Sequence, residues 1–172
     1  MNGAHLFDRA SAGSASWIYA APLPILGAKL SGSGVAVADD VAAVGDIELS
    51  YDHPFKYGAA HIYEQDAGGA GAWGSTATAV PFGPSVLFGQ EVDINGTHMV
   101  VLDPVSSQIG PQLLLFKRVV KPGPDSWKRT GYVRDGCHPP ARVQLSGSTV
   151  LAGIPTFGLD QGAVFVYRLG DL

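Results

Sequence analysis

The chain has 172 residues and a formal charge of −4, from 11 basic and 15 acidic residues, with 23 Gly, 12 Pro and only 15% charged residues. That composition disfavours a disordered chain or a helical bundle and describes a compact, turn-rich one. Hydrophobic residues make up 46% of the chain, but Gly, Pro, Ser or Asp interrupts each run well before membrane-spanning length, so no membrane insertion is expected.

No Lys/Arg cluster is denser than Lys117-Arg118, so a phosphate-binding footprint is missing and no nucleic acid partner is expected. The single cysteine, Cys137, excludes an intrachain disulfide, and Cys137-His138 followed by Pro139-Pro140 reads as a loop rather than half a zinc site. Residues 1–9 carry neither the basic nor the apolar region of a signal peptide.

Taken in chain order, the elements repeat. A glycine-opened strand over 3–7 ends on Phe7, and a second strand begins at Trp17. Next come paired strands over 35–40 and 41–45, a long loop over 46–58, a strand over 58–63 ending on Tyr63, and another beginning near Trp73. The pattern returns as strands over 92–96, 99–102 and 110–116, the last ending on Phe116, with Trp127 opening a fourth. It returns again over 143–147, 149–153 and 162–167, ending on Tyr167. The tryptophans lie 56 and 54 residues apart (73 − 17 and 127 − 73). Asp39-Asp40, Asn95-Gly96 and Ser146-Gly147 separate the paired strands, and these residue types tolerate the positive φ of tight hairpins.

One unit is therefore a four-stranded antiparallel sheet of about 50 residues. Such sheets cannot bury both faces alone and stack around an axis as blades. An unrepeated sandwich would not set three tryptophans in phase. The expected fold is all-β, a single β-propeller domain over 1–172 with units at 1–24 (partial), 25–84, 85–138 and 139–172 (partial). The tryptophans are expected to be buried as inter-blade packing residues.

Phe88-Gly89, Val92, Ile94, Asn95-Gly96, Val100-Val101 and Asp103-Pro104 form a motif that returns as Val143, Leu145, Gly147, Gly153, Pro155 and Gly162-Ala163. It returns a third time as Val35, Val37, Val44-Gly45 and Gly58-Ala59. This order resembles the FG-GAP repeats of bacterial surface proteins and the integrin α-subunit head. The resemblance implies a binding or adhesion module at the cell surface or outside it, engaging a protein or carbohydrate through its loops. The family commonly has seven blades and calcium-binding loops of Asp-x-Asp-x-Asp-Gly type. Here three strand pairs do not close a propeller, for which roughly four blades are the minimum, so a homodimer or a longer natural propeller is expected.

The loop over 46–58 occupies the family's calcium position and offers Asp46, Glu48 and Asp52. These lack the tight alternation and central glycine of a calcium loop, and Lys56 opposes them. Solvated loop acids are the preferred reading and a weak calcium site the alternative, with no other cofactor expected. Tyr51, Asp52 and His53 in the same loop are the candidate ligand-binding residues. No Gly-x-Ser-x-Gly nucleophile elbow occurs. His5 and His61 sit two residues before their closing aromatics, which favours a packing role. The competing functional class is a propeller glycoside hydrolase or lyase, with acids such as Asp93 assembled in a central tunnel.

Overall fold

The computed structural model describes residues 3–25, 31–47, 57–83, 85–106, 110–119, 126–134, 140–155, 158 and 161–171. The fold is all-β, with fifteen strands among the described residues. The first sheet pairs β1 (Gly3–Arg9) with β2 (Trp17–Pro24). The second runs in chain order through β3 (Ser31–Ala38), β4 (Val41–Asp46), β5 (Ala59–Glu64) and β6 (Gly74–Ala79). A short ribbon joins β7 (Ser85–Val86) to β10 (Val105–Ser106). The third sheet runs β8 (Val92–Ile94), β9 (His98–Asp103), β11 (Gln112–Arg118), β12 (Trp127–Val133). The fourth holds β13 (Arg142–Ser146), β14 (Thr149–Ile154) and β15 (Ala163–Arg168). Every pairing is antiparallel. The chain ends in a single 3-10 turn over Leu169–Asp171.

The expected hairpins form where the residue types allow. Ala38 pairs with Val41, leaving Asp39-Asp40 as a two-residue turn with Asp39 at φ 52. Gly96 stands at φ 83 in the next turn. In the fourth sheet Ser146 still pairs with Thr149. The turn is therefore Gly147-Ser148 rather than Ser146-Gly147, because Gly147, at φ 55, occupies the left-handed position more cheaply than serine does. The β7–β10 ribbon was not expected, since two-residue strands carry no periodicity to read.

The alternation of side chains explains how the sheets stack. In β9, Met99 and Val101 point into a core shared with the second sheet, containing Ala43, Ile62 and Phe88. Val100 and Leu102 point the other way, into a core shared with Val143, Leu145 and Val150 of the fourth sheet. β4 divides likewise, Val41 and Ala43 facing the third sheet and Ala42 and Val44 facing Leu23 of the first. The two central sheets are covered on both faces, which is why β4 and β9 read as nearly continuous apolar runs. The four sheets thus stack in chain order, and β3, β8 and β13, their first strands, lie against one another in succession.

The closest approach between sheets is made by backbone. The turn holding Phe88 and Gly89 enters from the third sheet and lies on Gly34, Gly45, Gly58 and Ala59 of the second. A Cβ at Gly45 or Gly58 would collide with the carbonyl oxygens of Gly89 and Phe88 respectively, and one at Gly34 would stand 2.9 Å from the Gly89 oxygen. The Gly58 N–H donates to the Ser85 carbonyl at 3.2 Å, and the Gly89 N–H to Leu102 at 3.1 Å. Phe88 is fully buried above this contact.

The tryptophans do not share one environment, which corrects the expectation that all are buried. Trp127 is buried against the second sheet, Trp73 is partly buried against a core formed by Leu23 and Ile25 with Ala42, Val44 and Tyr63 of its own sheet, and Trp17 is 59% exposed with the Arg9 guanidinium over its ring. Trp127 packs on the sheet that precedes its own, and among the described residues nothing precedes the sheet of Trp17.

Replacing Gly45 by Ala should destabilise the fold by about 3 kcal/mol, the upper end of overpacking costs, because backbone cannot move aside as a side chain can. Gly170→Ala, where a Cβ meets nothing within 4 Å, should be close to neutral. Paired denaturant titrations check this, and equal midpoints for the two variants would contradict it.

Candidate functional site

The carboxylates are where chemistry would be sought, and four of the described ones, Asp40, Glu64, Glu91 and Asp93, are engaged between sheets. Asp40 follows β3 and Glu64 ends β5. The Arg118 guanidinium from β11 forks onto Asp40 at 2.7 and 2.9 Å and reaches Glu64 Oε2 at 3.2 Å. The other Glu64 oxygen accepts the indole N–H of Trp127 at 2.9 Å. Hydrogen bonding to Arg118 holds the Asp40 carboxyl below its ordinary pKa, outweighing partial burial, and the bond to Asp40 raises Arg118 in turn. Planar guanidinium and carboxylate match in a two-bond fork, so this clamp fixes angle as well as distance.

A second set joins the third and fourth sheets. Asp93 on β8 accepts the Leu145 N–H of β13 at 2.6 Å and the Ile94 N–H at 2.9 Å. The Asn95 amide donates to the Gly147 carbonyl, and Arg142 pairs with Glu91. Asp93, a candidate acid only under the competing hydrolase reading, thus works as an acceptor for the backbone of the neighbouring sheet.

Asp46 and Asp103 close β4 and β9 at equivalent registers, opposite Ala59 and Gln112, and both are fully buried. Asp103 accepts the Gln112 amide at 2.9 Å and the Ser85 hydroxyl. Asp46 lies 3.9 Å from His61 Nε2, and His61 Nδ1 lies 3.3 Å from the Thr78 hydroxyl. Burial pulls the His61 pKa down, and the nearby Asp46 charge opposes the shift without cancelling it. His61 is therefore neutral in the fold at pH 7.

Of the residues expected to bind ligand or calcium, only Asp46 falls within the described part of the chain. Glu48, Tyr51, Asp52 and His53 lie outside the described residues, as do Cys137 and His138. Asp46 points into the protein beside His61 rather than into the loop. The roles of Asp40, Glu64 and Asp93 as inter-sheet acceptors were missed in the sequence because their partners lie 78, 63 and 52 residues away.

One open crevice of about 200 Å³ is lined by Leu6 and Leu23 of the first sheet and by Val35, Val37, Ala43 and Val44 of the second. It reaches Ala4, His5 and Leu6 of β1, which among the described residues pairs only with β2. Val35 and Val37 remain 60% and 59% exposed there. Comparison with known families finds no matching family model, and comparison with curated proteins finds no match.

A histidine kept neutral by burial binds a proton more readily in the unfolded chain. The unfolded state therefore takes up more protons below the ordinary His value of about 6.5, and stability falls as pH falls through that value. His98 shifts the same way, through burial first and Lys117 second. The melting temperature should drop between pH 7 and pH 5, and His61→Gln should show a smaller drop than the parent. An unchanged pH dependence in His61→Gln would contradict this.

Proposed function

We propose that the chain is a non-catalytic binding module of the FG-GAP propeller type, its stacked sheets being consecutive blades. In this reading the second and third sheets are complete blades. The first supplies only the two outer strands of a blade, and the fourth supplies its three inner ones. The observation that carries it is the seating of Phe88-Gly89 on Gly34, Gly45 and Gly58-Ala59, which gives the Phe-Gly and Gly-Ala positions of the repeat motif a contact to make. The commitment of Asp40, Glu64, Asp93 and Asp103 to hydrogen bonds supports a structural use of carboxylates over an acid pair for glycoside cleavage.

The two end faces support completion of the ring by a second copy of the chain. Phe7, Trp17 and Tyr19 are 53%, 59% and 51% exposed on the first sheet, and Val164 and Val166 are 68% and 63% exposed on β15. The crevice beside β1 lies where inner strands of the first blade would run. Free apolar strand edges invite pairing, and a two-fold ring closes them. The ligand, a protein or carbohydrate, is met by blade loops, including Tyr51, Asp52 and His53.

Light scattering over a concentration series should show a species heavier than the 17.9 kDa chain. Trp17→Ser should shift that species toward monomer while leaving the far-ultraviolet circular dichroism unchanged. A folded monomer at every concentration would count against completion by a second copy, and substrate turnover abolished by replacing one carboxylate would overturn the non-catalytic reading.

A further inference from the structure

Basic residues are not spread evenly over this acidic chain. Six of its 11 Lys and Arg fall between 117 and 134, against one acid, Asp125. Arg118 is spent on Asp40 and Glu64, whereas among the described residues Lys117, Lys128, Arg129 and Arg134 form no ion pair. Lys117 stands directly opposite Lys128 in the β11–β12 register, an arrangement of like charges that costs stability. The equivalent outer strands β2 and β6, WIYAAPLP and GSTATA, carry no charged residue. The fold therefore does not demand cations at this position, and general blunting of exposed edges does not explain them.

The same strand presents ordered aromatic surface. Arg129 lies 3.3 Å from the centre of the Phe82 ring and Arg134 lies 4.8 Å from that of Tyr132. Phe82 and Tyr132 meet edge to face at 6.2 Å and are 48% and 47% exposed. A guanidinium over a ring is held by the ring's face, and its N–H groups remain the donors that suit a carboxylate. Among the described residues β12 pairs with β11 alone, so its other edge offers backbone donors and acceptors at strand spacing.

We propose that the free edge of β12 docks an extended acidic peptide segment of a partner protein, which adds as a fifth strand to the third sheet. The inference rests on the binding-module reading and names its partner's chemistry. Alternate residues of the added strand meet Arg129, Tyr132 and Phe82 on one face and Lys128 on the other, with Lys117 one strand further in on the Lys128 face, because register places Arg129 and Tyr132 opposite Phe116 and Leu114, and Lys128 opposite Lys117. Acids are thus favoured on both faces. Backbone pairing selects polypeptide over other polyanions.

The test uses a fluorescent peptide of about ten residues alternating Glu and Thr, enough to span the seven residues of β12. Its companions are the Gln-for-Glu peptide, a version N-methylated on alternate backbone amides, and a sulfated oligosaccharide of equal charge. The acidic peptide should bind in a salt-sensitive manner. Its affinity should fall roughly tenfold in Arg129→Gln/Arg134→Gln, the scale of two exposed charge pairs. The Gln peptide and the N-methylated peptide should bind poorly. Arg129→Glu/Arg134→Glu should reverse the preference toward a Lys-Thr peptide, which separates loss of charge from loss of fold. Equal binding of the N-methylated peptide, or stronger binding of the oligosaccharide, would overturn the docked strand. Failure of the acidic peptide in a chain that still binds a loop ligand would sink this inference alone. Substrate turnover would sink the module reading and leave peptide binding at β12 intact.

Discussion

The stack of sheets depends on one close approach of backbone to backbone. The Phe88-Gly89 turn can lie on the second sheet only because Gly34, Gly45 and Gly58 present no side chain there. Two consequences follow. The carbonyls of the turn sit so near the neighbouring strands that the sheets have a single depth of contact, and Phe88 is placed in the core that also holds Ile62 and Met99. The turn is itself strained, since Leu87 is held at φ 71, a left-handed conformation that costs a residue with a side chain about 1–2 kcal/mol. The buried Phe88, worth on the order of 2–3 kcal/mol against exposure, offsets that cost.

Polar groups then set what packing leaves free. Apolar cores tolerate sliding better than directional bonds do, and the forked Arg118–Asp40 pair together with the Trp127–Glu64 bond fixes the twist of the third sheet on the second. Asp93 does the same for the fourth sheet through a backbone donor. Asp40 is about half exposed, so its share is geometric more than energetic. Glu64 is buried, and removing either of its donors would leave a desolvated carboxylate, which is far more costly than losing a surface pair.

Much of the fold was legible in the sequence because it is repeated. The glycine-to-aromatic strands ending near Phe7, Tyr63, Phe116 and Tyr167 formed, and so did the hairpin at Asp39-Asp40, since both signals are local. What failed was what depends on neighbours. Trp17 carries the same local pattern as Trp127, but among the described residues no preceding sheet covers it. Little of the candidate site was legible. Asp46 looked like a loop acid and proves to be the buried end of β4, because a strand's last residue and a loop's first look alike until the register is known. The cationic strip on β12 could have been found by counting charge over a window rather than by seeking adjacent pairs.

Native-state hydrogen exchange of the Gly58 and Gly89 amides tests the seating of the turn most directly. Both donate across or beside the contact between the second and third sheets. If that contact organises the stack, they should exchange only through global unfolding, with protection equal to that of Val100 and Leu114 in the central strands. Exchange of Gly58 and Gly89 at loop-like rates, with the central strands still protected, would show that the sheets hold together without it.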